Sequence, residues 1–142
     1  RLVTLDEAGA PTRGGDGSAI VLAPLSGPEV ESAVLAGELA CSFSLGEAGR
    51  DPLLFARGDV ASTVPSRGVV KVGDQVESVA APGGFDGMLR GTRFSGAGKT
   101  VDIALTGGTI GGGESPPRQA TLTYLRADGA ERSWTGWWQC GP

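Results

Sequence analysis

Apolar residues recur at every second position in a series of short runs along the chain, and each run is bounded by glycine, proline, aspartate or serine. A period of two marks strands with one face buried. In ELACSFSL, Leu39, Cys41, Phe43 and Leu45 fall on one face. In TVDIAL, Val101, Ile103 and Leu105 alternate with Thr100, Asp102 and Ala104. In WTGWWQC, Trp134, Gly136, Trp138 and Cys140 share a face and Trp137 takes the other. The pattern predicts strands over Ala19–Leu25, Gly37–Leu45, Leu53–Val60, Gly68–Val72, Gln75–Ala80, Gly87–Phe94, Lys99–Thr106, Gln119–Arg126 and Glu131–Gln139. Leu2–Leu5 reads as a short strand ahead of them. Two-residue turns are predicted at Gly73-Asp74, type II′, and Asp128-Gly129, type I′.

One stretch has helical rather than strand spacing. PEVESAVLAGEL, Pro28 to Leu39, carries proline near its start and apolar residues at Val30, Val34, Leu35 and Leu39; Gly37 limits it to one or two turns. The expected fold is therefore all-β: a single antiparallel barrel, or closed sandwich, of about eight strands with at most one short helix. Closure pairs the first long strand with the last and removes exposed edges. Residues 1–18, polar and glycine-rich, are expected to form a flexible or hairpin arm, and 19–142 the barrel domain. Gly107 to Arg118 reads as a loop, glycine-rich at one end and proline-stiffened at the other.

Composition agrees with short strands and tight turns: 25 glycines and 9 prolines in 142 residues. Twelve basic against sixteen acidic residues leave a net charge of −4 with no basic cluster, which disfavours nucleic acid and favours a basic partner. No apolar run reaches the length of a membrane span. The chain starts at Arg1, as expected of a trimmed piece or of a mature form that has lost a signal peptide. Cys41 and Cys140 both lie on apolar strand faces, and an even pair with matching facing is expected to form one disulfide, the kind of bond that persists in exported proteins. VLAGELAC resembles a lipoprotein cleavage site, but Glu38 stands where leucine is needed, so Cys41 is read as internal and unmodified.

Candidate chemistry is tested mostly by what the spacing allows. GTRFSGAGKT, residues 91–100, ends like a phosphate-binding loop, yet Arg93 occupies the place of the first glycine and a strand, not a helix, follows Lys99. It reads as a hairpin tip from which Lys99 projects into solvent. With no histidine in the chain, the usual general base and the commonest metal ligand are missing, and the acidic residues are spread singly. No catalytic residue, metal site or cofactor is assigned. Arg57-Gly58-Asp59 spells an adhesion tripeptide but sits at a strand end, where these residues are ordinary turn chemistry. Trp134 and Trp138 are read as core anchors, and Trp137 as a surface ring able to meet a partner or sugar.

Ser95-Gly96-Ala97-Gly98-Lys99 followed by a strand resembles the contact loop of the bacterial periplasmic inhibitors of c-type lysozyme, small disulfide-containing β-barrels. No tyrosine follows Lys99 as that family's pattern has it, and its second basic loop has no counterpart. The resemblance implies that Ser95 and Lys99 are partner contacts and that the partner is a basic enzyme, which an acidic chain suits through electrostatic steering. The expected function is that of a non-enzymatic, periplasmic or secreted binding domain of bacterial envelope type that inhibits such an enzyme. Carriage of a small apolar ligand in a lipocalin-like barrel, or a structural envelope role, is the alternative.

Overall fold

The computed structural model describes residues 9–48, 50–109 and 116–141. Among them run nine strands: β1 (Leu22–Ala23), β2 (Leu39–Ser44), β3 (Leu54–Gly58), β4 (Ser66–Val72), β5 (Gln75–Ala81), β6 (Gly91–Gly96), β7 (Lys99–Thr109), β8 (Arg118–Leu125) and β9 (Glu131–Gly141). All pairings are antiparallel. The strands follow one another in the order β4-β3-β2-β9-β8-β7-β6-β5, and β5 returns to β4. The eight form a closed barrel. β1 is a ninth strand laid on the end of β4, pairing Leu22 with Val72 and Ala23 with Lys71. The predicted Leu2–Leu5 strand and the first eight residues of the expected arm lie outside the described residues, as does most of the predicted loop before Arg118.

Closure depends on β2 meeting β9. Cys41 stands directly opposite Cys140, with Cα atoms 4.0 Å apart, and the two are joined by a disulfide across a sequence separation of 99. Both lie on the inward faces that the alternation predicted. Trp134 and Trp138 also point inward and are only 1% exposed. Between them Gly136 matters because a Cβ there would overlap the Ser44 carbonyl and come within 3.0 Å of Phe43 Cζ. Bare backbone at this step lets the Phe43 ring pack directly on β9. Phe94 meets Trp138 edge to face, centroids 6.4 Å apart, a favoured aromatic geometry. With Leu53, Leu54, Met88 and Leu122 also buried, side chains occupy the interior.

Each end of the barrel has its own cover. At one, residues 9–25 cross from β9 to β4. Arg13 and Glu131 exchange backbone hydrogen bonds of 2.9 and 2.8 Å, and the Gly73 N–H donates to the Val21 carbonyl at 2.8 Å. Ile20, Leu22 and Leu25 fill the space beneath. At the other end the segment between β5 and β6 forms a short helix, α2 (Gly84–Met88), following α1 (Gly27–Ser32) in the chain. Phe85 and Met88 of α2 are buried, and the Met88 carbonyl accepts from Trp138 Nε1 at 2.9 Å. The predicted strand Gly87–Phe94 thus begins only at Gly91, because its first residues belong to this cap.

Local differences from the sequence reading have identifiable causes. α1 starts at a capping box, Ser26 and Glu29, and ends at Ser32, within the one or two turns expected, so the apolar positions from Val34 to Leu39 lie beyond it. Val34 then takes a left-handed φ of 49°, which a helix cannot continue through. At Gly73-Asp74 only the glycine has positive φ (62°), as a type II′ turn requires. Asp128-Gly129 is not the predicted two-residue type I′ turn. Arg126 pairs with Ala130 through a 2.8 Å bond, and of the intervening residues only Gly129 has positive φ. Asp128 is held there by its own side chain, which accepts from Arg126 and from the Ala130 and Asp16 N–H groups.

Candidate functional site at the barrel mouth

Antiparallel register decides which side chains look into the barrel, since residues directly opposite one another share a face. Thr100–Leu105 of β7 pairs with Ala120–Leu125 of β8, so Leu105 lies opposite Ala120 and shares its face with Val101 and Ile103. Arg118 lies opposite Trp138. Because Trp138 points inward, Arg118 occupies an inward position at the very rim of the barrel. α2 covers the rim above β2 to β6. Beside it, over β7, β8 and β9, the mouth remains a cleft of about 460 Å³. Leu105 and Trp138 form its apolar lining, with Cys140 of the disulfide at the edge. Leu89 and Arg90, just past α2, and Pro116 and Arg118, at the start of β8, complete it among the described residues.

The two rim arginines differ from the other inward arginine. Arg132, near the opposite end, is 4% exposed; its Nε donates to the Ala10 carbonyl and its Nη1 to the Ile20 carbonyl, both at 2.8 Å. Its guanidinium also lies 4.9 Å from the centre of the Trp134 ring. Arg126 is likewise engaged, with Asp128 and Asp16. Among the described residues, Arg90 and Arg118 take part in none of the ion pairs or side-chain hydrogen bonds. Both are exposed.

The residues singled out from sequence fall in different places. Residues 91–100 form a hairpin whose tip, Ala97-Gly98, has positive φ at both positions (52° and 75°), and no helix follows. Lys99, however, does not project into solvent. It is 4% exposed, and its Nζ donates to Glu77 Oε1 at 2.5 Å. The two-residue turn places Lys99 opposite Gly96, and strand parity then sends its side chain the same way as Val101 and Ile103. Ser95 is exposed on β6 and lies opposite Ala80, the single residue pair linking β5 to β6. Trp137 is half-buried on the outer face, opposite Ser44 and Gln119. Ser95, Lys99 and Trp137 are not brought together. In the adhesion-like tripeptide, Gly58 is buried, Arg57 lies over Phe55, and Asp59 accepts the Glu38 N–H at 3.0 Å. Arg90 and Arg118 were missed by the sequence reading, although alternation back from Ala120, Leu122 and Tyr124 along the same strand assigns position 118 inward.

Two ionisable groups have strongly shifted titration. Burial, followed by the nearby Glu77 charge, pushes the Tyr124 hydroxyl up to about 12. The Arg126 guanidinium and the Ala130 N–H hold the Asp128 carboxyl well below the usual carboxylate range. Both lie toward the end covered by residues 9–25, away from the mouth. Among the described residues, no group of three or more cysteine, aspartate or glutamate side chains is placed to hold a metal ion, and no helix is long and apolar enough to cross a membrane. Comparison with family models, curated proteins and solved structures finds no match to this chain.

Proposed function

We propose that this is a periplasmic or secreted binding domain of bacterial envelope type that takes its ligand at the half-covered mouth of the barrel. The observation that carries the reading is the contrast between the two ends. One is sealed by residues 9–25, and the other keeps a cleft of about 460 Å³, within the range of small-molecule sites. The packed interior favours the mouth over the lumen as the place where a small apolar or amphipathic ligand sits. The disulfide supports an oxidising compartment. Amide shifts in a fragment titration of the ¹⁵N-labelled protein provide the test. Responses are expected at Leu89, Arg90, Leu105, Arg118 and Trp138; fragments that gather elsewhere would remove the mouth from consideration.

A protein partner is the second reading, favoured by an outer groove of about 290 Å³ beside Ser95, lined also by Val34, Leu35 and Arg67. Val34 is 84% exposed there. With a net charge of −4, a basic enzyme such as a c-type lysozyme is the partner to test. Binding to immobilised lysozyme should weaken in Val34→Lys, which sets a like charge against the basic partner, and in Ser95→Trp. Equal binding by all three proteins, or none by the wild type, contradicts it.

A further inference from the structure

Arg118 poses a physical question. An inward position in a small barrel is normally filled by an apolar side chain or by a polar one with partners. Arg132 satisfies that rule with two carbonyls and an indole ring. Arg118 stands at the rim beside an apolar lining, Arg90 lines the same cleft, and among the described residues neither has a carboxylate partner. Two guanidiniums that have no carboxylate partner among the described residues, beside Leu89 and Leu105, favour an anion, and the planar fork of arginine suits a carboxylate or a phosphate.

We infer that the mouth binds a small amphipathic carboxylate, with its apolar body against Leu89 and Leu105 and its carboxylate met by Arg90 and Arg118. This rests on the mouth being the binding end and names the ligand class. A single negative charge fits better than a polyphosphate, because the chain itself carries −4 and repels highly charged anions at a distance. The apolar lining accounts for the other half of the ligand. A simple inorganic anion would leave the exposed Leu89 and half-buried Leu105 without an apolar partner.

The test compares 4-phenylbutyrate with its neutral counterpart 4-phenylbutanol by amide-shift titration of the full chain, at low salt and at 0.5 M salt, for wild type, Arg90→Gln and Arg118→Gln. Both arginines are exposed, so the variants should fold, which the dispersion of the same spectra verifies. The acid is expected to saturate shifts around the mouth and to bind about tenfold more tightly than the alcohol, as a charge-assisted contact implies. The advantage should shrink in salt and fall several-fold in each variant. Equal binding of acid and alcohol at the mouth, unchanged in the variants, overturns the carboxylate inference and leaves the mouth as the binding end. Shifts of both ligands at another surface, or no binding of either, overturn both.

Discussion

Replacing Lys99 probes the register of the whole β6–β7 hairpin. Its side chain is 2% exposed and paired at 2.5 Å with Glu77, whose side chain is 34% exposed. Lys99→Met keeps the stem against the core and removes only the charge. Leaving one partner of a fully buried pair alone costs about 3–5 kcal/mol, whereas exposed pairs contribute about 0–1 kcal/mol. Glu77 keeps contact with water, so the cost should fall between, at about 1–3 kcal/mol. Lys99→Ala also removes three buried methylenes, each about 0.8 kcal/mol, and should lose about 3–5 kcal/mol in total. Urea unfolding measures this as a lower midpoint at unchanged slope. A loss within about 0.5 kcal/mol for Lys99→Ala, typical of surface positions, would refute the inward placement. The double variant with Glu77→Gln should recover part of the Lys99→Met loss, since the stranded charge has gone.

Tyr124 is the sole tyrosine, so tyrosinate absorbance reports it alone. Its raised value means that its stabilising contribution is complete below about pH 10, the unfolded value, and is lost as pH rises toward about 12; ionisation near 10 with the fold intact would contradict its burial. Asp128 behaves oppositely. Its depressed value stabilises the fold above about pH 4 and the contribution is lost as pH falls, so Asp128→Asn should flatten the acid limb of a stability-against-pH curve. Reducing Cys41–Cys140, which closes a loop of 99 residues in sequence separation, should cost about 4–5 kcal/mol by the chain-entropy estimate, read from urea midpoints with and without reductant.

Strand placement was legible because half-buried strands carry their own periodicity, and every predicted strand from Ala19 onward has a counterpart. The disulfide followed from the facing of Cys41 and Cys140 in the same way. Lys99, rightly placed at the start of its strand, was misread as projecting into solvent, although continuing the alternation of Val101 and Ile103 one step back assigns it inward. Local chemistry at the glycines outweighed parity where parity should have decided. α2 could not be read. GFDGM has two glycines in five residues and starts from a left-handed Gly83, so its helix comes from burial of Phe85 and Met88 over the rim and not from propensity. The mouth was hidden for the same reason. Its arginines come from the residue just before β6 and the start of β8, and only the register of the β6–β7–β8 meander brings Arg90 and Arg118 to one end of the barrel.

Paramagnetic relaxation of the amide protons by a nitroxide that bears a carboxylate tests the mouth most directly. With 3-carboxy-proxyl, enhanced relaxation should concentrate at Arg90, Leu105, Arg118 and Trp138, while the uncharged carbamoyl nitroxide produces only the weak, general pattern of surface collisions. An identical pattern from the two nitroxides, or enhancement by the carboxylate centred on the Ser95 groove or the end covered by residues 9–25, would contradict the account.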